Sequence, residues 1–144
     1  MKFPELVSSL GKELRIANLA AADDGVARVA FDEQYVVSLV PDTSETGVCI
    51  YANMGTVKLT SDQLELILAA NVDGEGTSGA FFAQHRNGNL ILAHYLPLAA
   101  VTFAELWASL EAFVNALEYW AELLKAPVAR NDPGIDHFTA FLLR

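Results

Sequence analysis

Asn87-Gly88 stands between two runs that read as strands, Gly79 to Arg86 and Asn89 to Leu96, and this pairing constrains the fold more than any other stretch. An Asn-Gly pair suits a two-residue type I′ turn, whose twist matches the antiparallel strands it joins. Counting outward from such a turn sets Gln84 against Ile91, Phe82 against Ala93 and Ala80 against Tyr95 on one face. His85 with Leu90, Ala83 with Leu92 and Phe81 with His94 then share the other. Both faces carry large apolar groups, so neither is a plain solvent face of the usual antiparallel kind. One is expected to meet helices, and the other a subunit or a partner.

The remaining elements follow from periodicity. Apolar residues at Phe3, Leu6, Val7, Leu10 and Leu14 fall three or four apart, with Pro4 tolerated in the first turn, and predict an amphipathic helix from Phe3 to about Asn18. Asp23-Asp24-Gly25 signals a turn, after which Val26 to Asp32, Tyr35 to Val40 and Val48 to about Val57 are rich in β-branched and aromatic residues. They predict a three-stranded meander, with Pro41 to Gly47 as a surface loop. Thr60 and Gln63 have capping-box spacing and open a second helix to about Asn71. Its Leu64, Leu66, Ile67, Leu68, Ala69 and Ala70 leave almost no polar face, which calls for cover on several sides. Thr102 and Glu105 repeat the capping-box spacing, and apolar positions recur from Phe103 to Leu124. That third helix would be roughly 35 Å long at about 1.5 Å per residue. The reading is an α+β domain in the order α-β-β-β-α-β-β-α over residues 1–127, with helices packed on a mostly antiparallel sheet. Residues 128–144 form a tail containing Phe138, Phe141, Leu142 and Leu143.

Composition narrows the partners. A hydrophobic fraction of 53% in 144 residues is more than one small core readily hides, so a homodimer is expected. The formal net charge of -9 repels phosphate backbones and anionic lipid, which argues against nucleic acid and membrane surfaces. The single cysteine, Cys49, fits a buried thiol in a reducing compartment, and the N-terminus lacks a cleavable leader, so a cytoplasmic protein is expected.

Chemistry finds little footing. Gly74-Glu75-Gly76-Thr77-Ser78-Gly79 spells the dinucleotide fingerprint, but it follows a helix and opens a strand, the reverse of the order that aims a helix start at a pyrophosphate. In the pairing above His85 and His94 share a face, separated by roughly 13 Å at about 3.3 Å per residue, too far for one metal ion. His137 lies in the tail, and no ligand spacing indicates a metal or other cofactor. No serine has a nucleophile-elbow context, and Cys49 lacks a neighbour that would lower its pKa. Asp23-Asp24 and Asp32-Glu33 sit at turns as ordinary solvated acids.

Phe3, Leu10-Gly11 and Leu14, then Asp24-Gly25 with Val29-Ala30-Phe31-Asp32, then Leu64 to Asn71 followed by Gly79, form an ordered pattern. With Leu90-Ile91-Leu92, Leu96-Pro97-Leu98 and a third helix carrying Trp120, it resembles the class I chaperones of type III secretion, the Tir chaperone family, over about Phe3 to Leu124. The resemblance implies a cytoplasmic homodimer, not an enzyme, that binds the N-terminal segment of one or more secreted effector proteins. It would keep that segment secretion-competent without ATP. It also implies that an effector wraps around apolar patches on the first helix and the strands, partly by adding strands to a sheet edge. Carried onto this chain, the partner-binding candidates are Phe3, Leu6, Val7, Leu10, Phe31, Val37, Leu39, Val48 and Ile50. Each position also fits a plain core, since one sequence does not say which face of a strand is covered. For the dimer, the second helix and second hairpin point to Leu64, Ile67, Leu68, Phe81 and Phe82. The alternative is a dimeric α+β small-ligand domain or enzyme, with an apolar cavity between long helix and sheet on which His94 or His85 converges.

Overall fold

The computed structural model describes residues 1–74 and 76–126. Helix α1 spans Phe3–Glu13, β1 Ala27–Phe31, β2 Tyr35–Pro41, β3 Gly47–Thr56, α2 Ser61–Asp73, β4 Phe81–Gln84, β5 Asn89–Pro97 and α3 Phe103–Leu124. The element order is the expected one. All strand neighbours are antiparallel, in the spatial order β1-β2-β3-β5-β4.

Local chemistry sets the helix ends. Thr60 and Gln63 exchange hydrogen bonds at 3.0 and 3.2 Å, and Gly74 closes α2 in the left-handed region. Thr102 and Glu105 do the same for α3 at 2.7 and 3.3 Å, and Lys125 ends it at φ 51°. The first helix is shorter than its apolar spacing predicts. Arg15 adopts φ 57°, and the Ile16 N–H returns to the Gly11 carbonyl at 2.8 Å, so the chain folds back across Gly11. An added Cβ at Gly11 would stand 2.9 Å from that of Leu19, which is why the reversal needs glycine beneath it.

The second hairpin exists where expected, but its register differs by one residue. Phe82 pairs with Leu92 and Gln84 with Leu90, so the pairings of Gln84 with Ile91 and Phe82 with Ala93 are overturned. The connection is the three residues Arg86, Asn87 and Gly88, closed by His85 N–H to Asn89 O at 2.8 Å and Gly88 N–H to His85 O at 2.9 Å. Asn87 spends its side chain on the Asn89 N–H at 2.9 Å, and it is Gly88 that takes the positive φ, the three-residue bulged form. With a period of two, this slip exchanges partners across the strand pair. Phe82, Leu90, Leu92 and Leu96 face the helices, while Ala83, Ile91 and Ala93 face the other side.

The main core lies between one face of the sheet and α1 and α3. It joins Leu6, Val7 and Leu10 to Val37, Leu39, Ile50 and Leu92, with Leu110, Phe113, Leu117 and Trp120 above them. Helix α2 sits at the β4 side, where it buries only Ile67 and Ala70.

Candidate partner-binding surfaces

Of the residues expected to hold an effector, Phe3, Leu6, Val7, Leu10, Val37, Leu39, Val48 and Ile50 lie in the main core, each 6% exposed or less. The apolar stripe of α1 points at the sheet, and the strand residues are those whose alternation turns them toward it. Phe31 differs: at the end of β1 it is half-buried and packs against the rim of the core.

Phe31 opens onto a groove. Leu14, Trp107, Leu110, Val114 and the polar pair Glu111 and Asn115 complete a concavity of about 390 Å³ between the end of α1, β1 and α3. Its floor is fully buried leucine, its walls are partly exposed aromatic rings, and one acid sits at its edge. This arrangement accepts an apolar side chain from an extended or helical segment and places a negative charge beside it. Sequence reading included Trp107 only as a member of the third helix's apolar series. The signal available was its position on the same face as Leu110 and Val114, one turn from the helix start.

The second surface is α2. Leu64, Leu68 and Val72 recur at one-turn spacing and are 48%, 57% and 84% exposed. Phe81, on the strand that α2 packs against, is 37% exposed. Of the expected dimer residues, Leu64, Leu68 and Phe81 therefore reach the surface, whereas Ile67 and Phe82 are core. Val72 was not singled out from the sequence because it follows Asn71, where the helix was expected to end. A row of large aliphatic side chains on one helix is more than scattered surface apolarity.

Asn71 fixes α2 to the sheet. Its Nδ2 donates to the Phe82 carbonyl at 3.0 Å and its Oδ1 accepts from the Phe82 N–H at 2.6 Å. The amide thus occupies both outward backbone groups of Phe82 on an edge strand, as a neighbouring strand would.

The polar groups do not assemble a reactive centre. Among the described residues no group of His, Cys, Asp and Glu is arranged to hold a metal ion. The Cys49 thiol is buried and desolvation pushes it up to about 11, against a weaker opposing hydrogen bond from the His94 backbone. His94 lies on the helix-facing side opposite Ile50, against Gly79, and burial holds its imidazole below the ordinary value. The corrected register turns His85 toward the opposite face, so the shared face expected for the two histidines is not found. Neither lines the Phe31 groove or the groove between Leu66 and Tyr119. Glu75 and the tail histidine, His137, lie outside the described residues. No described helix is long and apolar enough to cross a membrane.

This fold recurs in chains of type III secretion complexes. A chain of the HopA1–SchA chaperone–effector complex superposes with a TM-score of 0.70 at 13% identity, covering 82% of this chain and 91% of that one. A chain of the ExsC–ExsE complex gives 0.70 at 19% identity, covering 86% and 97%. The Yersinia pestis type III secretion chaperone SycH in complex with a fragment of YscM2 gives 0.65 at 22% identity, covering 80% and 97%. No curated protein sequence is a significant match. The sequence profile of the Tir chaperone protein (CesT) family matches residues 5–121, and the chain belongs to that family.

Proposed function

We propose that this protein is a cytoplasmic, non-enzymatic type III secretion chaperone that binds the N-terminal segment of one or more effectors and keeps it secretion-competent without ATP. The observation that carries the proposal is an apolar groove at Phe31 and Trp107, open on a chain whose family and fold are those of secretion chaperones. Phe31 would contact the effector directly. Phe3, Leu6, Val7, Leu10, Val37, Leu39, Val48 and Ile50 would support the groove from beneath, holding its walls in place. The homodimer would form through Leu64, Leu68, Val72 and Phe81, with Ile67 and Phe82 anchoring that face to each core. Net charge of -9 per chain keeps such apolar surfaces soluble and favours encounter with basic segments, while the apolar anchors supply most of the affinity.

Affinity purification of the tagged protein from its native cells, followed by mass spectrometry and limited proteolysis, tests the reading. A stoichiometric secreted protein protected only along an N-terminal stretch is the expected result. Recovery of the chain alone, or with a small molecule only, would overturn it in favour of a ligand-binding domain.

A further inference from the structure

Helix α3 carries Glu105, Glu111, Glu118 and Glu122 and not one lysine or arginine. Glu105 is engaged in the capping box. Glu111, Asn115, Glu118 and Glu122 recur four, three and four residues apart, so they lie on one face of the helix, and all of them are exposed. The first two line the Phe31 groove. A polar, acidic stripe therefore leads out of an apolar concavity and runs about 16 Å along the helix, at about 1.5 Å per residue.

The far end of the stripe lies beside the turn between β1 and β2. Tyr35 pairs with Phe31 across that turn, and desolvation followed by the charges of Glu118, Glu122 and Asp32 holds its phenol above the ordinary value, so the three acids share one neighbourhood. Among the described residues, Glu111, Glu118, Glu122 and Asp32 have no lysine or arginine as an ion-pair partner. The cations flanking the α1 wall of the groove in sequence are Lys12 and Arg15, on either side of Ser8-facing Gly11 and of Leu14, and they line a separate cavity. The groove thus lies between a basic helix end and an acidic stripe, and it attracts cations on its α3 side alone.

We infer that the occupant of the Phe31 groove is a basic peptide segment, with a large apolar side chain seated against Phe31 and Trp107 and two or more arginines or lysines running from it along α3, over Glu118 and Glu122 toward Asp32. An extended segment covers the length of the stripe in about five residues at about 3.3 Å each, so anchor and cations belong to one short stretch. The apolar residue supplies the grip, and the cations select which apolar segment is held and on which side of the anchor its charge must lie. A second copy of this chain, at net charge -9, and an acidic peptide are both disfavoured there. The inference rests on the effector-binding reading of the groove and adds the chemistry of the segment it takes.

The probe is a labelled synthetic peptide of alanine, with adjacent leucines at one end and arginines beyond them, made in both chain directions and titrated into the full chain by fluorescence anisotropy. At low salt the tighter of the two directions should bind about ten-fold or more better than its counterpart with glutamates for arginines. The double substitution Glu118→Gln, Glu122→Gln, at exposed sites that leave the far-UV spectrum unchanged, should weaken it about five-fold, and the loss should shrink as salt is raised. Equal binding of the arginine and glutamate peptides, or parental affinity in the double variant, would overturn the inference. So would undiminished binding of an arginine peptide without its leucines, which would be charge attraction that ignores the groove. The two readings fail differently: a double variant that shows no change with the peptide yet captures a secreted protein at parental yield sinks the basic-segment inference alone, whereas absence of any secreted partner from the parent sinks the chaperone reading.

Discussion

The indole Nε1 of Trp120 donates to the carbonyl oxygen of Gly76 at 2.8 Å, binding the last turns of α3 to the glycine-rich connection between α2 and β4. The same ring meets Phe82 edge-on at a centroid distance of 4.9 Å. One side chain thus joins α3, the connection and the edge strand. What reads in the sequence as a nucleotide fingerprint is in the fold a turn whose Gly74, Gly76 and Gly79 all take positive φ.

Trp120 accordingly has separable polar and apolar roles. Trp120→Phe retains most of the ring contact but leaves the Gly76 carbonyl without its indole partner, and should cost about 1–3 kcal/mol. Trp120→Ala also empties a site that is 3% exposed, and should cost about 3–5 kcal/mol. Urea unfolding of the parent and the two variants at one protein concentration measures both roles: a Trp120→Phe variant as stable as the parent would show that the hydrogen bond contributes nothing, and equal losses in the two variants that the ring's packing adds nothing.

A charge on the exposed row of α2 should separate the subunits and spare the fold. Leu68→Asp and Val72→Asp sit at positions 57% and 84% exposed, so the monomer has no core contact to lose. Sedimentation velocity should show a dimer for the parent and a monomer for Leu68→Asp, with matching far-UV spectra. A variant that stays dimeric would place the interface elsewhere.

Groove and core residues should respond differently to the same substitution. Leu10→Asp and Leu39→Asp bury a carboxylate at 0% exposed positions and should prevent folding altogether. Trp107→Asp changes a partly exposed groove wall and should lower effector affinity about ten-fold or more while the melting temperature falls by only a few degrees. Calorimetric titration beside thermal melting distinguishes the two classes, and unaltered affinity in Trp107→Asp would remove the groove from the binding site.

His94 should give stability a pH dependence of defined sign. Burial lowers its folded pKa below the ordinary value of about 6.5, so the unfolded chain takes up the proton first as pH falls. The contribution is complete above about pH 6.5 and is lost progressively as pH drops from there toward the folded pKa. Glu105, held below the ordinary carboxylate range by the Thr102 N–H and hydroxyl, loses its contribution only in the more acidic range beneath about 4.5. Denaturant midpoints measured between pH 7.5 and 5 should decline in the parent and flatten in His94→Gln. A parallel decline in both would assign the effect to other groups.

The element order was legible because its signals are local. Thr60 with Gln63 and Thr102 with Glu105 mark helix starts by chemistry that spans three residues, and both capping boxes form. Features decided by competing local chemistry were not. The side chain of Asn87 takes the Asn89 N–H and favours a three-residue connection over the two-residue turn its Asn-Gly pair suggests. Arg15 ends α1 in a conformation that sequence reading expects of glycine or asparagine. For the surfaces, Leu64 and Leu68 stood out because α2 has too few polar residues to face water on any side. Phe31 and Leu39 look equivalent in a strand of alternating character, and only the packing of α1 and α3 makes one a groove wall and the other a core residue.

The amide of Asn71 on Phe82 also sets how this sheet can be extended. A four-residue outer strand whose central backbone groups are already engaged makes β4 a terminator, so any strand that joins the sheet must do so beyond β1. Copies meeting edge to edge are then restricted to β1 with β1, a two-fold contact that closes on itself. A continuous ribbon running from molecule to molecule would need two permissive margins, and this fold offers at most one. That asymmetry is a safeguard against fibre growth.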